Sequence, residues 1–458
     1  MCRRKPLQQA CLLGLAFGLA QVVCRSRRRW LLGLLFEYVL STKDTDVRIL
    51  VQKFGGTSVR DLACMKQVME KVKKELAEGY KLVVVVSARA GETNRLLALA
   101  AEWSESPDWA ECDSLVSTGE QVSTALFSML LKDNGIRARS VLGFQVPITT
   151  NEEYGKARIS SVDKARILEM LQHHDVLVVA GFQGISSTGR ISTLGRGGSD
   201  TSAVAVAAAL GACRCDIYTD VDGVYTTDPN IASNARKLDR ITYDEMLEMA
   251  SMGAKVLEIR SVEFAKKYKV PVHVRSTFSD APGTMLIQED KEMEHVLVSG
   301  IALDRDQARI TLRHCPDRPG ISANIFGPLA QANVTVDMIV QNPSRDGVTD
   351  MTFTVARKEL KKALGIVEAT KVRGMDNMEI LHDANVCKVS VIGVGMRNHA
   401  GVAAKAFDAL SRENINIMMI STSEIKISCV IEEKYAELAV RTLHDTFKLG
   451  EAQIHIEA

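Results

Sequence analysis

Three short segments in the first half of the chain combine glycines with charged and hydroxyl residues in a way that suits anion chemistry. Lys53-Phe54-Gly55-Gly56-Thr57-Ser58 runs from an apolar stretch through paired glycines toward a helical pattern. Glycines let a backbone approach an anion closely, and the N-terminus of the following helix offers free N–H groups and a positive dipole end. Lys53 adds a mobile cation able to follow charge on a transferring phosphoryl group. The same residues also suit an ordinary strand–helix turn with a surface lysine, and this segment alone does not separate the two readings. Gly195-Arg196-Gly197-Gly198-Ser199-Asp200 is a second glycine turn, leading into the alanine-rich stretch Ala203–Leu210. Ser199, Asp200 and Thr201 are natural helix caps there, while Arg196 is suited to bidentate binding of a carboxylate. The third segment, from Tyr218 to Pro229, carries Asp220, Asp222 and Asp228. These are good turn formers, but a loop at a strand's carboxyl end is also where open α/β sheets bind ligands.

Other chemistries find little support. No G-x-x-x-x-G-K-[ST] loop and no G-x-G-x-x-G spacing occurs, and none of the three segments holds a histidine. The ten cysteines form no C-x-x-C pair, and no His-rich ligand spacing accompanies them, so neither a metal site nor a disulfide framework is predicted. Dispersed cysteines in a long chain point to free thiols in a reducing compartment, hence a cytoplasmic protein. A net charge of +1 gives no bias toward nucleic acid.

The elements that position these segments can be read from periodicity. With 458 residues the chain exceeds one core, so two to three domains are expected. From Val47 the pattern is apolar strand, glycine turn, amphipathic helix, repeated. Leu82–Val86 and Val176–Ala180 are continuous apolar runs, as strands buried on both faces should be. Met65–Leu76 has helical spacing, and 216–220 reads as another strand. Strands alternating with helices predict an α/β domain over 47–290, with a mostly parallel sheet sandwiched by helices. Beyond 290 the chain repeats itself at an offset of 81 residues: Gly320 falls on Gly401, Phe326 on Phe407, Leu329 on Leu410, Val334 on Ile415 and Met338 on Met419. Two copies of one α+β unit, 291–384 and 385–458, are therefore expected. Each reads as strand, glycine loop, helix and alternating strand, the second copy's last strand spanning 414–420.

The first 46 residues stand apart, with eight basic residues against three acidic and two short apolar runs. No small-residue cleavage site follows, and Arg25–Arg29 interrupts the apolar character, which argues against a secretory signal or a membrane anchor. The segment is expected to lie outside the working fold, as a misassigned start with Val47 as initiator.

Taken together and in order, Lys53–Val59, Val116-Ser-Thr-Gly-Glu120, Thr193–Asp200 and Thr219–Pro229 resemble the amino-acid kinase family, with the specific match to its aspartate kinases. The duplicated tail resembles that family's tandem ACT domains. The resemblance spans 47–458, and no fused homoserine dehydrogenase is expected after the second repeat. It implies transfer of the ATP γ-phosphoryl group, with Mg2+ carried on the nucleotide, to the β-carboxylate of L-aspartate. Catalysis would fall to Lys53 and Asp200. Aspartate would meet Thr93, Glu120, Arg196, Gly197, Gly198 and Ser199, with Glu120 reading its ammonium. ATP would meet Lys53, Phe54, Gly55, Gly56, Ser87, Thr219, Asp220, Tyr225, Asn230, Ala254 and Lys255. Asn230 departs from the arginine often found after Asp-Pro in related enzymes. Effector positions would be Asp317, Gly320, Asp337, Gln341 and Asn342 in the first repeat, and Asn416, Ile417, Thr422, Ser423 and Glu424 in the second. Feedback by lysine and/or threonine, pairing of subunits through the repeats, and an internal start at Met293 for a separate regulatory subunit are further implications. Another amino-acid kinase, or a non-catalytic amino-acid sensor, are the competing readings; intact Lys53, Glu120, Arg196 and Asp200 argue against the sensor.

Overall fold

A computed structural model describes residues 48–252, 256–290, 296–342, 347–371, 377–399 and 401–451. The segment 1–46, with the expectation of a misassigned start, lies outside them, as do Met293, Ala254 and Lys255.

The first half alternates strands and helices. It runs β1 (Ile49–Phe54), α1 (Leu62–Ala77), β2 (Lys81–Val86), α2 (Glu92–Trp103), α3 (Trp109–Val116), α4 (Thr118–Asp133), β3 (Ala138–Val141), β4 (Ile148–Thr150), β5 (Ile159–Val162), α5 (Lys164–His173), β6 (Val176–Ala180), β7 (Gln183–Ser186), β8 (Ile191–Thr193) and α6 (Gly198–Leu210). It continues with β9 (Cys215–Thr219), β10 (Arg240–Thr242), α7 (Tyr243–Ser251), α8 (Ile259–Tyr268), β11 (Val272–Ser276) and β12 (Thr284–Ile287). Eight of these strands form one sheet in the order β10-β12-β11-β9-β1-β2-β6-β3, parallel except where β12 meets β11. The valine-rich β2 and β6 lie inside the sheet, between β1 and the edge strand β3, and their residues Leu82–Val86 and Val176–Ala180 are buried throughout. A smaller sheet, β5-β4-β7-β8, stands beside it and carries the Gly195 turn at its end. Composition gave no sign of this second sheet, because its strands are three or four residues long.

The second half supplies β13 (Gly300–Pro316), α9 (Ile321–Gln331), β14 (Val336–Asn342), β15 (Val348–Val355), α10 (Leu360–Lys371), β16 (Glu379–Ile392), α11 (Val402–Arg412), β17 (Met419–Thr422), β18 (Lys426–Glu432) and α12 (Ala436–Thr446). All six strands share one sheet, β14-β15-β13-β16-β18-β17. The internal repeat survives in backbone detail: Gly320 and Gly401 both precede a helix at φ of 92° and 97°, and Asn333 and Asn414 both adopt φ near 55°. That left-handed Asn414 corrects one expectation. Residues 414–418 form no strand, and β17 starts only at Met419. The long strands serve both units. Val298, just before β13, and Ile301, within it, pack in the core of α11 and α12, while Met378, just before β16, joins the core of α9 and α10.

The two halves are joined by buried polar contacts. Glu245 of α7 accepts from Ser299 Oγ at 2.5 Å and Val394 N at 3.0 Å through one oxygen, and from Thr242 N and Oγ1 through the other. Thr226 Oγ1 accepts from Arg236 N and shares a hydrogen bond with His444 Nε2 at 2.9 Å. Burial lowers the His444 pKa, which favours the uncharged ring.

Candidate active site

The carboxyl ends of β1, β2 and β6 open onto a cavity of about 460 Å³. Strand alternation decides which residues face it: Lys53 lines the cavity, whereas the neighbouring Phe54 is fully buried and stacks on Tyr218, centroid to centroid 4.6 Å. The Phe54 ring therefore packs in the core beside Tyr218 rather than on the cavity wall. The Gly55-Gly56 turn lies against the loop after β2. Ala90 N donates to Gly56 O at 3.1 Å, and a Cβ on Gly56 would come within 2.8 Å of Ala88 O. Only glycine permits that approach.

The Gly195–Asp200 turn forms the opposite wall. Gly197, at φ 65°, is the N-cap of α6, and a Cβ there would stand 2.3 Å from Glu258 Cγ. Ser199, Asp200 and Thr201 therefore fall inside the first helical turn and make no side-chain cap, contrary to expectation. Asp200 reaches across the cavity instead and pairs with Lys53 Nζ at 2.6 Å. Arg196 is exposed and lines the cavity, and Glu258 beneath it has its pKa raised, first by burial and then by Asp200.

Glu120, in the first turn of α4, is 3 % exposed. Its Oε1 accepts from Ala88 N at 2.9 Å, while Oε2 is buried with no hydrogen-bond partner. Burial pushes the carboxyl up to about 7. Ser87, Thr93, Gly197, Gly198 and Ser199 complete the predicted residues on the wall.

Other predicted residues lie elsewhere. Thr219, Asp220, Tyr225 and Asn230 are off the cavity wall, although Gly55 N donates to Tyr218 O at 3.4 Å and so brings the end of β9 beside the glycine turn. Thr219 bonds Asp220, Tyr225 bonds Asp222, and Asn230 bonds Asp228, so this loop is internally braced. In the second half, Asp317 N donates to Gly347 O, Gln341 accepts from Ser322 Oγ at 3.3 Å, and Asp337 pairs with the buried Lys388. Asn342 O accepts from Thr349 Oγ1. Asn416 and Ile417 precede β17, Thr422 ends it, Ser423 N bonds Lys426 O, and Glu424 pairs with Arg397 at 3.3 Å. The strands bearing these two sets, β14 and β17, lie at opposite edges of the sheet.

Sequence reasoning missed Arg89, Trp109, Asp113 and Phe182, which also line the cavity. Asp113 lies on α3 and Glu120 on α4, and nothing in the spacing of Asp113 marked it in the sequence.

A lysine–glycine turn facing an arginine-bearing helix start, across a cavity at the ends of parallel strands, defines a phosphotransferase of the amino-acid kinase class. Residues 48–276 match the amino acid kinase family, and residues 310–371 and 389–447 each match an ACT domain. An aspartate kinase of Stutzerimonas stutzeri is 55% identical over 402 residues, covering 88% of this chain and 97% of that protein. Two E. coli aspartokinase III structures also superpose. The one in complex with aspartate and ADP (R-state) has a TM-score of 0.71 at 29% identity, covering 87% of this chain and 99% of that chain. The one with lysine and aspartate (T-state) has a TM-score of 0.70 at 30% identity, with the same coverage. The chain belongs to the aspartate kinases of the amino-acid kinase family, with two C-terminal ACT domains. It is an ATP-dependent phosphotransferase of amino-acid biosynthesis.

Proposed function

We propose that the cavity binds L-aspartate with its ammonium on Glu120, its α-carboxylate on Arg196 beside Ser199, and its β-carboxylate facing Lys53. The observation that carries this is Glu120 Oε2, a buried carboxylate oxygen on the cavity wall without a partner. Such an atom is costly unless a cation meets it. The polyphosphate of ATP lies along Gly55 and Gly56, with Ser87 nearby, and the base extends toward Thr219, Asp220, Tyr225 and Asn230. Magnesium arrives with the nucleotide as part of the substrate.

The β-carboxylate is already ionised at neutral pH, so its oxygen attacks the γ-phosphorus without a general base. The bond from that phosphorus to the β,γ-bridging oxygen breaks, and ADP leaves with the electron pair. The product is 4-phospho-L-aspartate. Catalysis is then positioning plus charge stabilisation, supplied by Lys53 and the glycine amides, with Asp200 holding Lys53 in place.

The ACT half reports lysine and/or threonine, and E. coli aspartokinase III in complex with lysine supports that reading by analogy. Subunits pair through this half. Ile339 and Ile420, equivalent residues of the two repeats, are 52% and 43% exposed on the edge strands β14 and β17, which suits further pairing. A cytoplasmic setting fits the seven free cysteines among the described residues.

Arg196→Ala tests the substrate pose: the KM for aspartate should rise at least about tenfold with the KM for ATP unchanged. An unchanged KM for aspartate would contradict it. Adding lysine and threonine to the wild type tests regulation, and turnover indifferent to both would remove them as effectors.

A further inference from the structure

Asp113 belongs to no segment whose chemistry was evident from sequence, yet it is the most heavily bonded carboxylate on the cavity wall. It sits on α3, 1% exposed, and its oxygens accept from Gly155 N at 2.9 and 3.0 Å, Thr193 N at 2.7 Å and Thr193 Oγ1 at 2.5 Å. No ion pair to it occurs among the described residues, so these N–H and O–H donors alone hold the buried charge. Burial raises its pKa and the donors oppose that. A neutral side chain would fill the same space at lower desolvation cost.

The partners explain what the charge accomplishes. Thr193 ends β8, two residues before Gly195 and three before Arg196. Gly155 packs on both sides. Its carbonyl oxygen is 3.1 Å from where a Cβ of Gly195 would stand, and a Cβ on Gly155 would meet the Trp109 ring at 2.8 Å. A second link, Ala157 N to Thr193 O at 2.8 Å, fastens the same turn to β8. One carboxylate thus binds α3, the turn around Gly155 and the root of the Arg196 turn into a single wall.

We propose that Asp113 is a positioning residue for aspartate, acting through Thr193 and Gly155 to hold the Arg196 turn at the distance from Glu120 that the substrate spans. The inference rests on the assignment of Arg196 to a substrate carboxylate. It predicts a rise in the KM for aspartate with the KM for ATP little changed, since the Gly55-Gly56 turn is not among the partners of Asp113, while kcat falls to the extent that the same turn carries Asp200 against Lys53.

The test is steady-state kinetics on the full chain carrying Asp113→Asn, Thr193→Val or Thr193→Ser. Asparagine keeps the shape but turns an amide donor toward a backbone donor. The KM for aspartate should rise about tenfold or more, with the KM for ATP within about twofold of wild type. Thr193→Val removes only the hydroxyl bond and should shift the aspartate KM in the same direction by less. Thr193→Ser keeps the hydroxyl and should restore wild-type behaviour, a rescue that a packing role for the threonine methyl would not give. Should Asp113→Asn not fold, the two Thr193 variants carry the test. An active wild type with an unchanged aspartate KM in the folded variants, or with both KM values rising together, would overturn the proposal. A wild type without turnover on aspartate would overturn the substrate assignment itself, and this inference with it.

Discussion

Lys53 and Asp200, 147 residues apart in sequence, meet as an ion pair 2.6 Å long inside the cavity, each side chain 12% exposed. The pair joins the end of β1 to the first turn of α6, so the phosphate-side cation is aimed by the carboxylate-binding element. Lys53→Ala should lower kcat by about 10³-fold while the fold is retained, because only transition-state charge is lost. Asp200→Asn should lower kcat as well, with less effect on either KM. Near-wild-type kcat in Lys53→Ala, with an unchanged circular dichroism spectrum, would contradict the role.

Glu120 makes a prediction about pH. Its carboxyl is raised from 4.5 to about 7 by burial, so it loses charge as pH falls through 7. The aspartate ammonium then loses its partner, and the KM for aspartate should climb by nearly tenfold per unit below pH 7. Glu120→Gln should raise that KM and flatten its pH dependence. The stability effect runs the other way. A carboxyl with a folded pKa above its unfolded value favours the folded state at low pH, and that contribution is lost as pH rises from about 4.5 to 7. Thermal melts of Glu120→Gln against wild type at pH 5 and pH 8 check the sign: the variant should be no less stable at pH 8.

Gly197 is constrained twice, by φ 65° and by Glu258 Cγ at 2.3 Å from any added Cβ. Gly197→Ala should express and melt cooperatively but lose about 10²-fold in kcat/KM, since Arg196 and Asp200 flank the displaced residue. Wild-type kcat/KM would show that the turn tolerates displacement.

Glu245 is 1% exposed and satisfies donors from both halves of the chain. Glu245→Ala orphans Ser299, Val394 and Thr242 together and should cost about 3 kcal/mol. Denaturant unfolding should show the loss, along with a separation of transitions for the kinase and ACT halves.

Much of this was legible in the sequence, for definite reasons. β2 and β6 announced themselves because parallel strands covered on both faces need apolar residues on both. Lys53, Glu120 and Asp200 stood out through the resemblance of their segments, taken in order, to the amino-acid kinase motifs, since the residues alone also suited ordinary turns and caps. What was not legible depended on contacts between distant segments. The Ser199–Thr201 cap was misread because Gly197 begins the helix earlier, which frees Asp200 for Lys53. The β17 strand was overextended because a left-handed Asn414 cannot be seen in alternating apolar residues. Asp113 looked like any helical acid until Gly155 and Thr193 folded against it.

Phosphoryl transfer to aspartate in this cavity leaves an acyl phosphate as its product. Hydroxylamine traps acyl phosphates, so ATP-dependent hydroxamate formation by the full chain measures it directly, with L-aspartate, L-glutamate and N-acetylglutamate in parallel. Signal with aspartate alone, abolished in Lys53→Ala, is the predicted result. Equal signal with glutamate, or no signal from the folded protein with any of the three, would contradict it.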